Sequence, residues 1–343
     1  MFTNRRTQQG MLSHHRAVAG AAVGAVAVTM LAASVVPAVS SAPATPPVPT
    51  ITQHALDSLP GDATSMAFDV NDHGLIVGTS TTAPSTDHAV VWRHGTVRRL
   101  PGTLGLDSAA FGVNDAGRVV GRIGSEAAWW KGGRLVRLGT LPGGSRSQAE
   151  DISEDGVIVG WSDDASGVGS VPVWWFRGRI HELALPTGRA SGSAQAISPR
   201  GRIGGTAGAA VVWVGGRPRL LPDLVGYVGG QALGVNDRGI AVGFAQSTES
   251  MTRPVLWRPD GVRALQVSEL VTAGMATDVN SWNTVVGWVF AEGRARPSLW
   301  WRGQYLELGP GTGPGQALGL NDHGLAVGWS GTGAVSWRIS GSS

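Results

Sequence analysis

The sequence predicts an all-β chain: a seven-bladed β-propeller with four strands per blade, closed by an N-terminal strand that completes the last blade. Three observations carry this expectation. Seven copies of one unit recur at a spacing of about 42 residues, within the range of four-stranded blades. Each of the first six copies reads as four short runs separated by turn residues. The last copy lacks its fourth run, and an orphan segment that fits the gap precedes the first. Composition agrees, because 52 of 343 residues are Gly, 42% are hydrophobic and only 15% are charged. Such a chain is too apolar for disorder and too broken by Gly for long helices.

Aligned on the Asn of a "VND" motif, the copies fall at Asn71, Asn114, Ser153, Ser198, Asn236, Asn280 and Asn321. Ala stands four residues before each anchor, at Ala67, Ala110, Ala149, Ala194, Ala232, Ala276 and Ala317. Gly stands seven after, at Gly78, Gly121, Gly160, Gly205, Gly243, Gly287 and Gly328. Trp ends the third run, at Trp92, Trp130, Trp175, Trp213, Trp257, Trp300 and Trp337, always three residues after Ala or Pro.

The first strand of each unit is the small, apolar "AxxV". The anchor and "DxG" then form a hairpin turn whose Gly supplies a positive φ, with Asn283 standing in for it in the sixth copy. The second strand is "LIVG" or "IAVG", the third "AVVW" or "PVLW". Runs such as "TVRRL" and "QYLEL" alternate as a half-exposed outer strand should. "LDSLPGD" (56–62) matches "LGTLPGG" (138–144), so the N-terminal segment beside it is placed to complete the seventh blade. A ring shut in this way removes open sheet edges.

The first fifty residues differ. Arg5, Arg6 and Arg16 lead into a long apolar, Ala-rich stretch ending in "AVSSAPA". This reads as a signal peptide over 1–42, followed by a Pro-rich linker over 43–50 and the propeller over 51–340. An uncleaved membrane anchor is the alternative. The expected location is therefore extracellular, with no membrane span once the leader is cut. Without the three leader arginines, the net charge falls from +3 to zero, and no basic run tracks phosphates. Nucleic acid is not an expected partner. Cysteine is absent, which excludes disulfides and thiolate metal sites.

The pattern A-x-x-VND-x-G-x-x-VG, with His88-Ala89-Val90-Val91-Trp92 in the first copy, resembles the HAF repeat family of extracellular bacterial proteins. The chain departs from it in having Val for Phe and in lacking the His in other copies. The likeness covers about residues 51–339 and implies an exported repeat protein without an assigned activity. The units are also similar to WD-repeat propellers, but no "WD" closes the third strand.

Candidate sites follow from topology. The "NDxG" turns share one face; the loops between second and third strands share the other with the connectors between blades. Long loops in blades 1, 3, 5 and 6 ("TSTTAPSTDH", "WSDDASGVGS", "FAQSTESMTR", "WVFAEGRAR") make the second face the expected binding face. Trp161, Trp288 and Trp329 follow the invariant Gly and point towards it, where they could stack on sugars or a partner. Asp69, Asp151 and Asp278 stand two residues before the anchor, on strands lining the channel. There they could hold a cation, Ca²⁺ being the natural one, though an Asp in such a place more often ties down backbone N–H groups.

No HExxH, GxSxG or sialidase-type box occurs, and nothing selects Glu126, Glu150 or Asp163 as a catalytic pair. The expected function is a monomeric, non-catalytic module that binds a glycan, peptide or cell-surface polymer, or serves a structural role. A propeller hydrolase or lyase acting on an extracellular polysaccharide is the alternative.

Overall fold

A computed structural model of the chain describes residues 48–83, 85–167, 169–309 and 313–341. The expected leader and residues 43–47 of the linker lie outside them. The described residues form seven four-stranded antiparallel sheets, and the fold is a seven-bladed β-propeller. Blades 1 to 6 are simple meanders over Thr64–Arg99, Ser108–Arg137, Ser147–Glu182, Ser193–Leu220, Gly230–Ala264 and Val271–Glu307. Blade 7 takes three strands from Gly315–Ser340 and its outermost from Thr50–Ala55. That N-terminal strand pairs along Gly333–Ser340, from Thr50 opposite Ser340 to Ala55 opposite Val335.

The closure reproduces the chemistry of a continuous blade. In blades 1 to 6 a Leu just past the outer strand (Leu100, Leu138, Leu183, Leu221, Leu265, Leu308) donates its N–H to the residue three before the conserved Trp. In blade 7, Leu56 donates to Ala334 in the same way. The Trp337 indole, in turn, donates to Gln53 Oε1 of the closing strand.

Each conserved position has a physical reason. The seven anchor-minus-four Ala residues are all 0% exposed, and the seven third-strand Trp residues at most 3%. The core is divided into seven slabs, one in each gap between neighbouring blades, including the gap between blades 7 and 1. Each Trp faces the preceding blade, and burying so large a side chain contributes about 2–3 kcal/mol. Trp129, Trp174 and Trp301 face the next gap instead. The invariant Gly answers a close approach. In every blade the pairing skips one residue after the conserved Ala, a β-bulge in the innermost strand. This brings a carbonyl so near that a Cβ on Gly243 would lie 1.9 Å from Gln231 O.

The long second-to-third-strand segments differ in kind. In blade 6, "WVFAEGRAR" is an extended hairpin, with Ala291 opposite Arg294 across a two-residue Glu292–Gly293 turn. Aromatic and β-branched residues beside a Glu-Gly turn favour strand over irregular loop. Blade 5 keeps a true loop over residues 247–251.

Candidate functional site

The innermost strands deliver their anchors to one end of the channel, and there the side chains bond from blade to blade. Asn71 Nδ2 donates to the Asn114 carbonyl at 2.9 Å, and Asn114 Nδ2 to that of Ser153 at 3.1 Å. Asn236 reaches Asn280, Asn280 reaches Asn321, and Asn321 returns to Asn71 at 3.0 Å. Each Asn Oδ1 accepts the N–H four residues on, fixing its own turn. A second ring lies beside the first: Asp115, Glu154, Asp237, Asp322 and Asp72 each accept a backbone N–H from the preceding blade. The turn Gly supplies the expected positive φ, as does Asn283 at 64°.

Asp69, Asp151 and Asp278 lie at this same end, and Asp151 and Asp278 line a shallow cavity of about 190 Å³ at the channel mouth. Each occupies both oxygens with backbone. Oδ1 accepts the next residue's N–H, and Oδ2 accepts an N–H from the following blade: Val113 at 2.8 Å, Ile197 at 2.7 Å and Leu320 at 2.8 Å. The 3/4 gap shows what this achieves. Both flanking anchors there are Ser and the next residue is Pro199, so Asp151 carries the turn-face link.

The three carboxyls keep some surface on the channel, yet the ring of blades surrounds them otherwise. Burial pushes Asp69 up to about 6 and Asp278 to about 7. Asp151 rises well above the usual carboxylate range, from burial first and then from the charge on Asp69. Among the described residues, no three His, Cys, Asp or Glu side chains are arranged to hold a metal ion.

Glu150 is the residue that sequence reasoning failed to single out. It is the bulged residue of blade 3, and burial pushes its carboxyl up to about 7, against hydrogen bonds from Gln148 and the Trp161 indole. Trp161, Trp288 and Trp329 are half-buried and stand on three separate blades, 3, 6 and 7. Their strands serve the 3/4, 6/7 and 7/1 gaps, and the Trp329 indole donates to Gln316. Glu126 pairs with Arg137 on the rim, and Asp163 accepts the N–H groups of Ser145 and Arg146.

The opposite, loop face exposes seven large apolar side chains. Leu104, Leu106, Val225, Val228, Met251, Leu270 and Phe290 are exposed there, Val225 to 95%. Five of them lie on the arc from the blade 4–5 connector to the blade 6 hairpin, joined by backbone bonds such as Val228 N–H to Gln246 O. Single exposed apolar residues are ordinary, but five on neighbouring connectors and loops of one face mark it as the candidate interaction surface.

No family model matches the chain, and no curated protein does. Solved structures do. Streptogramin B lyase superposes with a TM-score of 0.57 at 10% identity, covering 84% of this chain and 98% of that one. The extracellular domain of a protein described as a one component system of B. thetaiotaomicron gives 0.56 at 8% identity, over 84% and 40%. A puromycin-hydrolyzing peptidase of Mycobacterium tuberculosis gives 0.53 at 15%, over 84% and 53%. This chain thus spans about half or less of the last two. At such identities the likeness extends to the fold, and the fold is the seven-bladed β-propeller.

Proposed function

We propose that the chain is an exported, non-catalytic propeller of the HAF-repeat type that binds a glycan, peptide or cell-surface polymer through its loop face. The observation that carries this reading is the exposed apolar arc of Val225, Val228, Met251, Leu270 and Phe290, set on a rigid ring. Export rests on the leader pattern over residues 1–42, and an extracellular domain among the structural neighbours is compatible with it. Among the described residues no helix is long and apolar enough to cross a membrane. The channel aspartates enter this reading as ties between blades, and Ca²⁺ is not required by it. An array of neutral glycans and of peptides tests the proposal: hits should be lost in Met251→Glu/Phe290→Glu and kept in Asp69→Asn/Asp278→Asn. An array without hits at millimolar ligand would favour a purely structural role.

One observation favours a second reading, a hydrolase or lyase of an extracellular polysaccharide. Glu150, held near neutrality in its pKa beside Trp161, has the protonation behaviour a general acid needs. Glu150→Gln would then abolish turnover of a polymer substrate while leaving the fold intact.

A further inference from the structure

Two open grooves flank the outer hairpin of blade 2, where the turn face meets the rim. One, between blades 1 and 2, has a volume of about 400 Å³; the other, between blades 2 and 3, about 440 Å³. Arg93, Arg98 and Lys131 line the first; Arg118, Arg134 and Arg177 line the second. Asp155 is the one acidic residue lining either. Among the described residues none of the six cations joins an ion pair, whereas Arg200, Arg263 and Arg296 elsewhere on the ring pair with Asp237, Asp260 and Glu307. Six cations that join no ion pair are thus gathered in two adjacent grooves with a single carboxylate among them.

Buried donors mark the second groove independently. In six blades the third-strand indole donates, as Trp130 does to Pro101 O and Trp213 to Ala184 O. Trp175, 1% exposed, has no acceptor for its Nε1, and Arg118 has none for its Nε. Both side chains line this groove. A buried donor without an acceptor costs about 1–3 kcal/mol; neither nitrogen is exposed as the groove stands, so that cost would be relieved only where the wall yields to an acceptor-rich occupant. The aromatic surfaces are already covered: Arg118 lies 4.9 Å over the Trp129 ring and Arg177 5.1 Å over that of Phe176. A guanidinium held over a ring retains N–H donors that can grip a carboxylate through two bonds. Nucleic acid fits less well, because single strands need free aromatic faces for their bases.

We propose that the paired grooves bind a linear, carboxylate-bearing polysaccharide, with an acidic sugar seated in each. This site is separate from the loop face and does not depend on that reading. The test is binding of the full chain to oligogalacturonate, with dextran, dextran sulfate and duplex DNA as the other arms. Oligogalacturonate should bind, with affinity falling about tenfold between roughly 50 and 200 mM salt. Arg118→Gln/Arg134→Gln/Arg177→Gln should weaken it by about tenfold or more, and the exposed Arg134→Gln alone should weaken it measurably if the triple variant fails to fold. Arg200→Gln/Arg219→Gln/Arg263→Gln, an equal charge change elsewhere, should bind as the parent does, as should Met251→Glu/Phe290→Glu. No binding at low salt, equal binding of dextran, or equal or tighter binding of dextran sulfate or DNA would overturn the proposal.

Discussion

On the turn face, five asparagines and five carboxylates are bonded from blade to blade, whereas on the loop face seven large apolar side chains stand in water. The same seven blades build both. The difference lies in what each face must do. Short turns of fixed length place one anchor per blade at a constant radius, so in five of the seven gaps an Asn side chain meets the same backbone carbonyl on the next blade. Connectors and second-to-third-strand segments vary in length and cannot sustain such a ring. They are free to carry a surface for something else.

The comparison can be broken most forcefully at its seam. Deleting residues 1–56 removes the closing strand, exposes the edge beside Trp337 and should lower Tm by at least about 10 °C in a thermal scan. Gly243→Ala comes next. Its Cβ would meet the Gln231 carbonyl, and a loss of about 3 kcal/mol or more in a urea titration is expected. Asn71→Ala removes a bond across the blade gap and another within its turn, for a loss of about 2–3 kcal/mol. Asp151→Ala should cost more than Asp69→Ala, because the 1/2 gap retains the Asn71 and Asp72 links that the 3/4 gap lacks.

A smaller effect sharpens the electrostatics. Asp69 and Asp278 have folded-state pKa values of about 6 and 7, above their unfolded values, so folding takes up protons. Their contribution is fully present below about pH 4 and is lost as pH rises through 6 and 7. Stability should therefore be greater at pH 5 than at pH 8, by about 1–2 kcal/mol once screening by channel water is allowed for. Asp69→Asn/Asp151→Asn/Asp278→Asn should flatten that profile. A profile rising towards pH 8 would place the three carboxyls in a more polar setting than the one described.

Much of this was legible in the residues. The Ala, Gly and Trp periodicities mark buried or crowded positions, and "LDSLPGD" identified the closing segment because it repeats a connector. The Asn anchor recurs in five of the seven copies, but its role was hidden. Its partner is a backbone carbonyl about forty residues on, and backbone groups leave no trace in sequence. The bulge that requires the invariant Gly was hidden for the same reason. Glu150 could not be singled out, since its burial depends on Gln148 and on Trp161 across the strand pair. The basic grooves draw on cations as far apart in sequence as Arg118 and Arg177, and the neutral overall balance conceals them.

The division of labour between the faces is tested most directly by measuring thermal stability and array binding together for two variants. Met251→Glu/Phe290→Glu should keep Tm within about 2 °C of the parent and lose the ligand, while Asn71→Ala should lose several degrees and keep it. A loop-face variant that keeps its neutral-glycan or peptide ligand, or an Asn71→Ala protein as stable as its parent, would contradict the account.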